Sequence, residues 1–313
     1  MNKPLVVISL NSSAEIYEGI LEVLGDIANI VFLKDTKNND RLSIIESADA
    51  IITLRPDKEL SDNELMSLEG KFLQSFTSGI DFFPFEKLPN NVLISHNGGA
   101  FAEPIAEYTL GVSILMFREL LTKHNKLINS DWDQFTPTRM LKGSNCLLIG
   151  YGGIGRAISR LMKPLGVNIY AVNRSGSKDN NVDFMGTLND LEVYLNKSDI
   201  VVVCLGLNST TKDLINKKLF SYMKKNALLI NVARGEIINQ EDLYGWLSNN
   251  PEAKACIDAW WREPIENGDF KTEFPFFSLK NFFGSPHNSG IVINGYKFAA
   301  IHAATNVRSY LEK

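Results

Sequence analysis

The sequence predicts an α/β protein built from two parallel-sheet domains, one inserted into the other. Three observations carry this. Short apolar runs alternate with segments of helical periodicity in both halves of the chain. At 313 residues the chain is long for a single core. The alternation is also interrupted twice, by a long helical pattern near residue 100 and by loss of the strand pattern near residue 285.

Taken in order, "PLVVISL" reads as a first strand and "SAEIYEGILEVLG" as a helix with Ser13 at its cap. "ANIVFL", "ADAIITL", "FLQSFT" and "NVLISH" read as four more strands, and "SDNELMSL" carries helix-start chemistry. The stretch "AEPIAEYTLGVSILMFRELLTKHNKLI" reads as one long helix that marks the domain crossover, and "NSDWDQFTPTRMLKGS" as a loop. From Asn145 a second alternation supplies the strands "CLLIG", "NIYAV", "DIVVVCL", "ALLINVA" and "ACIDA". A helix from about Ile291 is expected to return to the first domain.

Composition narrows the function. With 44% hydrophobic and 22% charged residues and a formal charge of −4, the chain has the make-up of an ordinary soluble globular protein. It has none of the basic surplus of a nucleic-acid binder. No apolar run is long enough to span a membrane. The N-terminal "MNKPLVVISLNSS" lacks a small-residue cleavage site and reads as a strand, so a cytoplasmic protein is expected. Cys146, Cys204 and Cys256 lie in apolar stretches without a CxxC, and the four histidines have no partner at metal-ligand spacing. Core thiols and no metal site are expected.

In "LLIGYGGIGRAI", Gly150, Gly152 and Gly155 form G-x-G-x-x-G between a strand and a helix. That context makes the pattern a dinucleotide-binding signature, and the doubly wound domain Rossmann-like. Gly153 and Ile154 complete the loop expected to meet the pyrophosphate. An acid that would hold the ribose of NAD is expected at the end of the next strand. Asn173, Arg174 and Ser175 stand there instead, eighteen residues after Gly155. Arg174 would pair with a 2′-phosphate, Ser175 would donate to it, and Lys178 would add charge. NADP(H) is therefore expected over NAD(H); the alternative is a solvated polar loop with NAD bound.

Three further residues follow in order at the carboxyl side of successive elements. Arg234 follows "LLINVA", Glu263 lies in "DAWWREP", and His287 lies in "SPHNSG", spaced by 29 and 24 residues. A guanidinium at a strand's carboxyl end matches a substrate carboxylate, so Arg234 reads as a clamp. The alternative is a rim arginine paired with Glu236 or another acid. With a dinucleotide site, the three supply what hydride transfer to a carbonyl needs.

The motifs "GYGGIG", "NVARGEIIN", "DAWWREP" and "SPHNSG", in this order, resemble the D-2-hydroxyacid dehydrogenase family, nearest its glyoxylate/hydroxypyruvate reductase and phosphoglycerate dehydrogenase branches. "LRPDKELSDNEL", "SFTSGIDFF" and "NGGAFAEPIAEYTLGVSILM" extend the likeness through the first hundred residues. The resemblance implies a dinucleotide domain at 100–285 inserted into a substrate domain of 1–99 plus 286–313. It implies a homodimer, with the long helix after residue 100 building much of the interface. His287 would be the acid/base and Glu263 its partner, raising the histidine pKa. Arg234 would anchor the substrate, and the amides of Ser78 and Gly79 would hold its carboxylate. Asp258 and the Ala233 carbonyl would orient the nicotinamide carboxamide, with Gly290 nearby.

The chain departs from the family pattern at Gly206, where many relatives have proline, and at Asn173. Arg55 would reach the distal end of a hydroxypyruvate-like or acidic substrate, or pair on the surface. Trp132 would line a partner's pocket or pack on its own helix, and Trp260–Trp261 are read as packing residues. A phosphoglycerate-type dehydrogenase, a formate- or phosphite-type donor and a nucleotide-sensing corepressor of the same fold are the rival readings.

Overall fold

The computed structural model describes residues 3–176 and 179–313. By internal contacts the chain forms two compact units, Met1–Phe101 with Ile291–Lys313, and Ala102–Gly290.

The first unit holds a five-stranded parallel sheet of β1 (Leu5–Ile8), β2 (Asn29–Phe32), β3 (Ala50–Thr53), β4 (Phe72–Ser75) and β5 (Leu93–Ser95), in the order β2-β1-β3-β4-β5. β1 and β3 are central and carry Val6, Val7, Ile8, Ile51 and Ile52, all fully buried. Branched side chains on both faces are what a sheet covered on both sides requires. The helix Ala14–Leu24 buries Ile16, Ile20 and Leu24, one position per turn. Ser13 is its N-cap residue, but the hydroxyl makes no cap bond. The last helix starts at Gly295 rather than Ile291, because Asn294 takes the left-handed conformation at φ 60°. It runs to Leu311 and buries a stripe of Ala299, Ala300, Ala303, Ala304 and Val307.

The second unit holds a seven-stranded parallel sheet: β6 (Asn145–Ile149), β7 (Asn168–Val172), β8 (Phe184–Gly186), β9 (Ile200–Val203), β10 (Leu228–Asn231), β11 (Lys254–Ile257) and β12 (Phe282–Gly284). Their order is β12-β11-β10-β9-β6-β7-β8, so the winding reverses between β6 and β9. The sequence reading names five of these strands and misses β8 and β12, the two three-residue edge strands. Residues 286–290 cluster with this unit, five residues beyond the expected boundary, because the main chain of 287–289 is bound to Asp258 at the end of β11.

The expected long helix is a correction. It is two helices, Ala102–Phe117 and Leu120–Ile128, broken at Glu119 with φ 54°. The freed end is held by Lys254, whose ammonium donates to the Met116 carbonyl at 2.8 Å and to Glu119 Oε1 at 2.7 Å. Among the described residues no helix is long and apolar enough to cross a membrane.

Candidate active site

The reversal between β6 and β9 places a crevice at the carboxyl ends of these strands, where ligands of open α/β sheets bind. The glycine loop lies there. Gly150 has φ 105°, and a Cβ on it would stand 2.6 Å from the Cys204 carbonyl oxygen. A Cβ on Gly155 would meet the Gly150 carbonyl at 2.6 Å, so the helix Gly153–Met162 can close onto the strand only without one. A Cβ on Gly152 would meet nothing within 4 Å. Two glycines thus tighten the turn, while the third leaves space beside the free N–H groups of Gly153 and Ile154 at the helix start. This suits a pyrophosphate.

At the end of β7 the Asn173 side chain turns inward. Its Oδ1 accepts from Ser175 N at 3.1 Å and from Gly176 N at 2.6 Å. Asn173 therefore shapes the loop, and Arg174 and Ser175 are exposed on it. Lys178 lies outside the described residues. Arg156, on the first turn of the helix Gly153–Met162, extends toward the same loop, its Nη1 3.8 Å from Asp179 Oδ2.

Arg234 follows β10, where the buried Asn231 pins the turn by donating to the Arg234 carbonyl at 2.8 Å and accepting from Ala233 N at 3.0 Å. The Arg234 guanidinium donates to the Ala233 carbonyl at 2.8 Å. Gly235 packs directly on the main chain of Trp260 and Trp261. That contact joins the Arg234 turn to the segment carrying Glu263. Trp260 is buried, and the two indole N–H groups donate to Ser285 O at 2.7 Å and Ile238 O at 2.6 Å. The pair is packing, as expected.

Glu263 and His287 meet. Imidazole Nδ1 lies 2.9 Å from Oε1 and 2.8 Å from Oε2. The carboxylate also accepts from Trp260 N at 2.8 Å, and the Glu263 amide donates to Asn267 Oδ1 at 3.0 Å. Burial pushes the Glu263 carboxyl up, but the His287 and Trp260 hydrogen bonds and the charges of His287 and Arg234 outweigh it. The group sits below the ordinary carboxylate range. Because a carboxylate only accepts, Nδ1 carries a proton and Nε2 is the position left to exchange one.

His287 has φ 49°, a conformation L residues rarely hold. Asp258 imposes it. Its carbonyl accepts from His287 N at 2.9 Å, Oδ1 from Asn288 N at 3.0 Å, and Oδ2 from Ser289 N at 3.1 Å. Asp258 is 1% exposed, so the carboxylate expected to face a carboxamide is also the anchor of the histidine loop. Gly290 ends that loop and this unit.

In the first unit Ser78 and Gly79 follow β4 on a loop closed by Ser78 Oγ donating to Asn97 O at 2.9 Å and Thr77 Oγ1 donating to Gly79 O at 2.9 Å. Among the described residues their amides donate to no acceptor. Arg55 is chelated by Asp57, Nε to Oδ1 at 3.0 Å and Nη2 to Oδ2 at 2.9 Å, with its guanidinium 4.7 Å over the Phe82 ring. The Arg55 guanidinium is thus paired within its own segment, its side chain 14% exposed. The crevice between β1 and β3, where this sheet's order reverses, is filled by the chain's own Glu59. Its carboxylate accepts from Ser9 Oγ and Thr53 Oγ1 at 2.7 Å each and from Arg55 N at 2.8 Å. Trp132 is 75% exposed and is not packed on its own helix.

The sequence reading passed over Tyr108, Ser285 and Asn267. Ser285 and Asn267 are small polar residues in loops or short turns, where polarity is ordinary. Tyr108 lies in a helix that also carries Glu103, Glu107, Thr109 and Ser113, so its hydroxyl gave no distinct signal. Among the described residues no group of three or more His, Cys, Asp or Glu could hold a metal ion.

Comparison with known proteins gives a match to the family model "D-isomer specific 2-hydroxyacid dehydrogenase, NAD binding domain" over residues 110–289, more than half of the chain. A glyoxylate reductase of Thermofilum pendens is 28% identical over 278 residues, 86% of this chain and 80% of its own length. The mouse glyoxylate reductase/hydroxypyruvate reductase is 27% identical over 259 residues, 81% and 77% of the two chains. The fold matches a D-isomer specific 2-hydroxyacid dehydrogenase from Xanthobacter autotrophicus, described in complex with NADPH and MES. That match has a TM-score of 0.81 at 19% identity and covers 100% of this chain and 96% of the other.

Proposed function

This chain belongs to the D-isomer specific 2-hydroxyacid dehydrogenase family, and from that premise we propose that it reduces a small 2-keto acid, glyoxylate or hydroxypyruvate, with NADPH preferred over NADH. The observation that carries the reading is the His287–Glu263 pair, held by Nδ1, in the same unit as the glycine loop and within the electrostatic reach of Arg234. When bound, a reduced nicotinamide supplies the hydride to the keto carbon. Arg234 grips the substrate carboxylate, and its charge polarises the carbonyl; in the first unit the Ser78 and Gly79 amides are proposed as donors to a carboxylate. His287 delivers the Nε2 proton to the carbonyl oxygen, and Glu263 balances the charge of the imidazolium beforehand. The Ala233 carbonyl and Asp258 orient the carboxamide, with Gly290 beside them. Arg174 and Ser175 take the 2′-phosphate, on a loop that Asn173 shapes without bringing a repelling acid.

Oxidation of NADPH and NADH at 340 nm, crossed with glyoxylate, hydroxypyruvate, pyruvate and a bulkier 2-keto acid, tests the substrate. The expected result is turnover of glyoxylate or hydroxypyruvate, abolished in His287→Ala with cofactor binding retained. Absence of turnover with every acid, despite cofactor binding, would sink the reading. Arg174→Ala is expected to weaken NADPH by about 10- to 100-fold and NADH far less, one charge-assisted contact being at stake. Equal weakening of both removes the 2′-phosphate assignment.

We also infer a homodimer. The helix Leu120–Ile128 and the loop after it expose Leu121, Leu127, Ile128 and Phe135, the last at 87%, a patch that favours burial against a second copy. Light scattering that gives one chain's mass at micromolar concentration overturns it.

A further inference from the structure

We propose that Tyr108 is a positioning residue for His287, acting through Ser285 and Asp258. The Tyr108 hydroxyl lies 2.5 Å from Ser285 Oγ and 3.3 Å from Cys256 Sγ. Ser285 Oγ donates to Asp258 Oδ1 at 2.6 Å. Proton counting fixes the direction of the chain. The serine has one proton and gives it to the carboxylate, so the tyrosine gives its own to Ser285 Oγ, and the Cys256 thiol gives its proton to the tyrosine oxygen. Burial keeps both outer groups protonated, the thiol pushed up to about 12 and the phenol pushed up as well. Three hydrogen bonds thus point one way, from the strand β11 and the helix Ala102–Phe117 into Asp258. In a site of low polarity such a chain strengthens each member.

Asp258 is where the chain meets the catalytic loop. Through one carbonyl and two carboxylate oxygens it holds three consecutive amides, His287, Asn288 and Ser289. Ser285 belongs to that loop as well, and its carbonyl accepts from Trp260 Nε1. Oδ1 is shared between Ser285 Oγ and Asn288 N, so a change at the hydroxyl is felt at the amide beside His287. The left-handed φ of His287 is the quantity at stake. It sets the direction in which Nε2 points once Nδ1 is tied to Glu263. Tyr108 touches neither the imidazole nor the carboxylate of Glu263, and its action is on orientation alone.

The inference rests on the reading of His287 as proton donor, and its test is built to fail separately. Tyr108→Phe removes one oxygen and keeps the ring, and Ser285→Ala cuts the same chain one link later. Each is expected to lower kcat about tenfold, with KM for both substrates and cofactor affinity nearly unchanged. The double variant should fall no further, and Ser285→Thr, which keeps the hydroxyl, should restore the rate. The second readout needs no turnover. In protein labelled with ¹³C-histidine, four Cε1–Hε1 signals are expected, and the one lost in His287→Ala is the reporter. It should move in Tyr108→Phe and in Ser285→Ala, and return in Ser285→Thr. An unmoved His287 signal in Tyr108→Phe overturns the proposal, as do rate losses that add in the double variant. If the wild type turns over no 2-keto acid, the functional reading fails, and the histidine signal alone decides the positioning role.

Discussion

Gly235 shows why the arginine at the end of an apolar strand is followed at once by glycine. A Cβ on it would stand 2.3 Å from both the Trp260 carbonyl carbon and the Trp261 nitrogen, atoms of a main chain that cannot swing aside. The residue's φ is unexceptional, so the demand is for closeness. Gly235→Ala is expected to cost about 1–3 kcal/mol by overpacking, and to raise KM for the keto acid by shifting Arg234. Urea unfolding and steady-state kinetics read the two effects, and an alanine variant as stable as the wild type would show that the two strand ends are not in rigid contact. The Arg-Gly dipeptide was legible in the sequence, and so was the order Arg234, Glu263, His287, although only the first two follow strands that were themselves legible and β12, before His287, was not. The reason for the glycine was not, since Trp260 is 25 residues away. The anchoring of His287 by Asp258 was hidden in the same way. A strand-end aspartate looks alike whether it faces a ligand or its own chain.

Elements were legible where an apolar run is long enough to show a pattern. The ten strands read correctly include the edge strands β2 and β5, and β5 has only three residues but lies in the run "NVLISH". β8 and β12 are as short, and their surroundings, "VDFMGTLND" and "KNFFGSPH", are broken by polar residues and glycine. The split of the long helix had no local signal either. "MFRELLTKH" keeps helical spacing through the break at Glu119, and the cause is Lys254, on β11. The ammonium caps the Met116 carbonyl and pairs with Glu119, with its side chain only 17% exposed. Lys254→Met keeps the stem and removes both bonds. It is expected to destabilise the protein by about 1 kcal/mol, the cost of losing two hydrogen bonds to partly buried acceptors. Amide exchange should quicken around residues 116–120 first. Unchanged exchange there would mean the break is set by the helices themselves.

At the scale of the molecule, each unit carries a carboxylate shielded at least in part from solvent whose acidity is raised by what binds it, and this ties its stability to pH. In the first unit the capping box that opens the helix Asp62–Met66 directs Glu64 onto Arg41 Nε at 2.9 Å and Ser61 N at 2.7 Å. In the second, Glu263 is bound by His287 and Trp260. For both, burial raises the pKa, hydrogen bonds and positive charge lower it, and the lowering prevails. A carboxyl more acidic in the folded than in the unfolded chain stabilises the fold fully above its unfolded pKa, near 4.5. That contribution is lost as pH falls through the lower, folded value. Glu64→Gln and Glu263→Gln should therefore each be less stable than the wild type near neutral pH, with the gap closing as pH drops below about 4.5. Urea titrations at several pH values measure the gap, and exchange of the strand amides in β1–β5 or in β6–β12 reads the affected sheet. A gap that stays constant across that range would mean the carboxylates stabilise by shape and not by charge. A gap that widens on acidification would reverse the sign of the linkage.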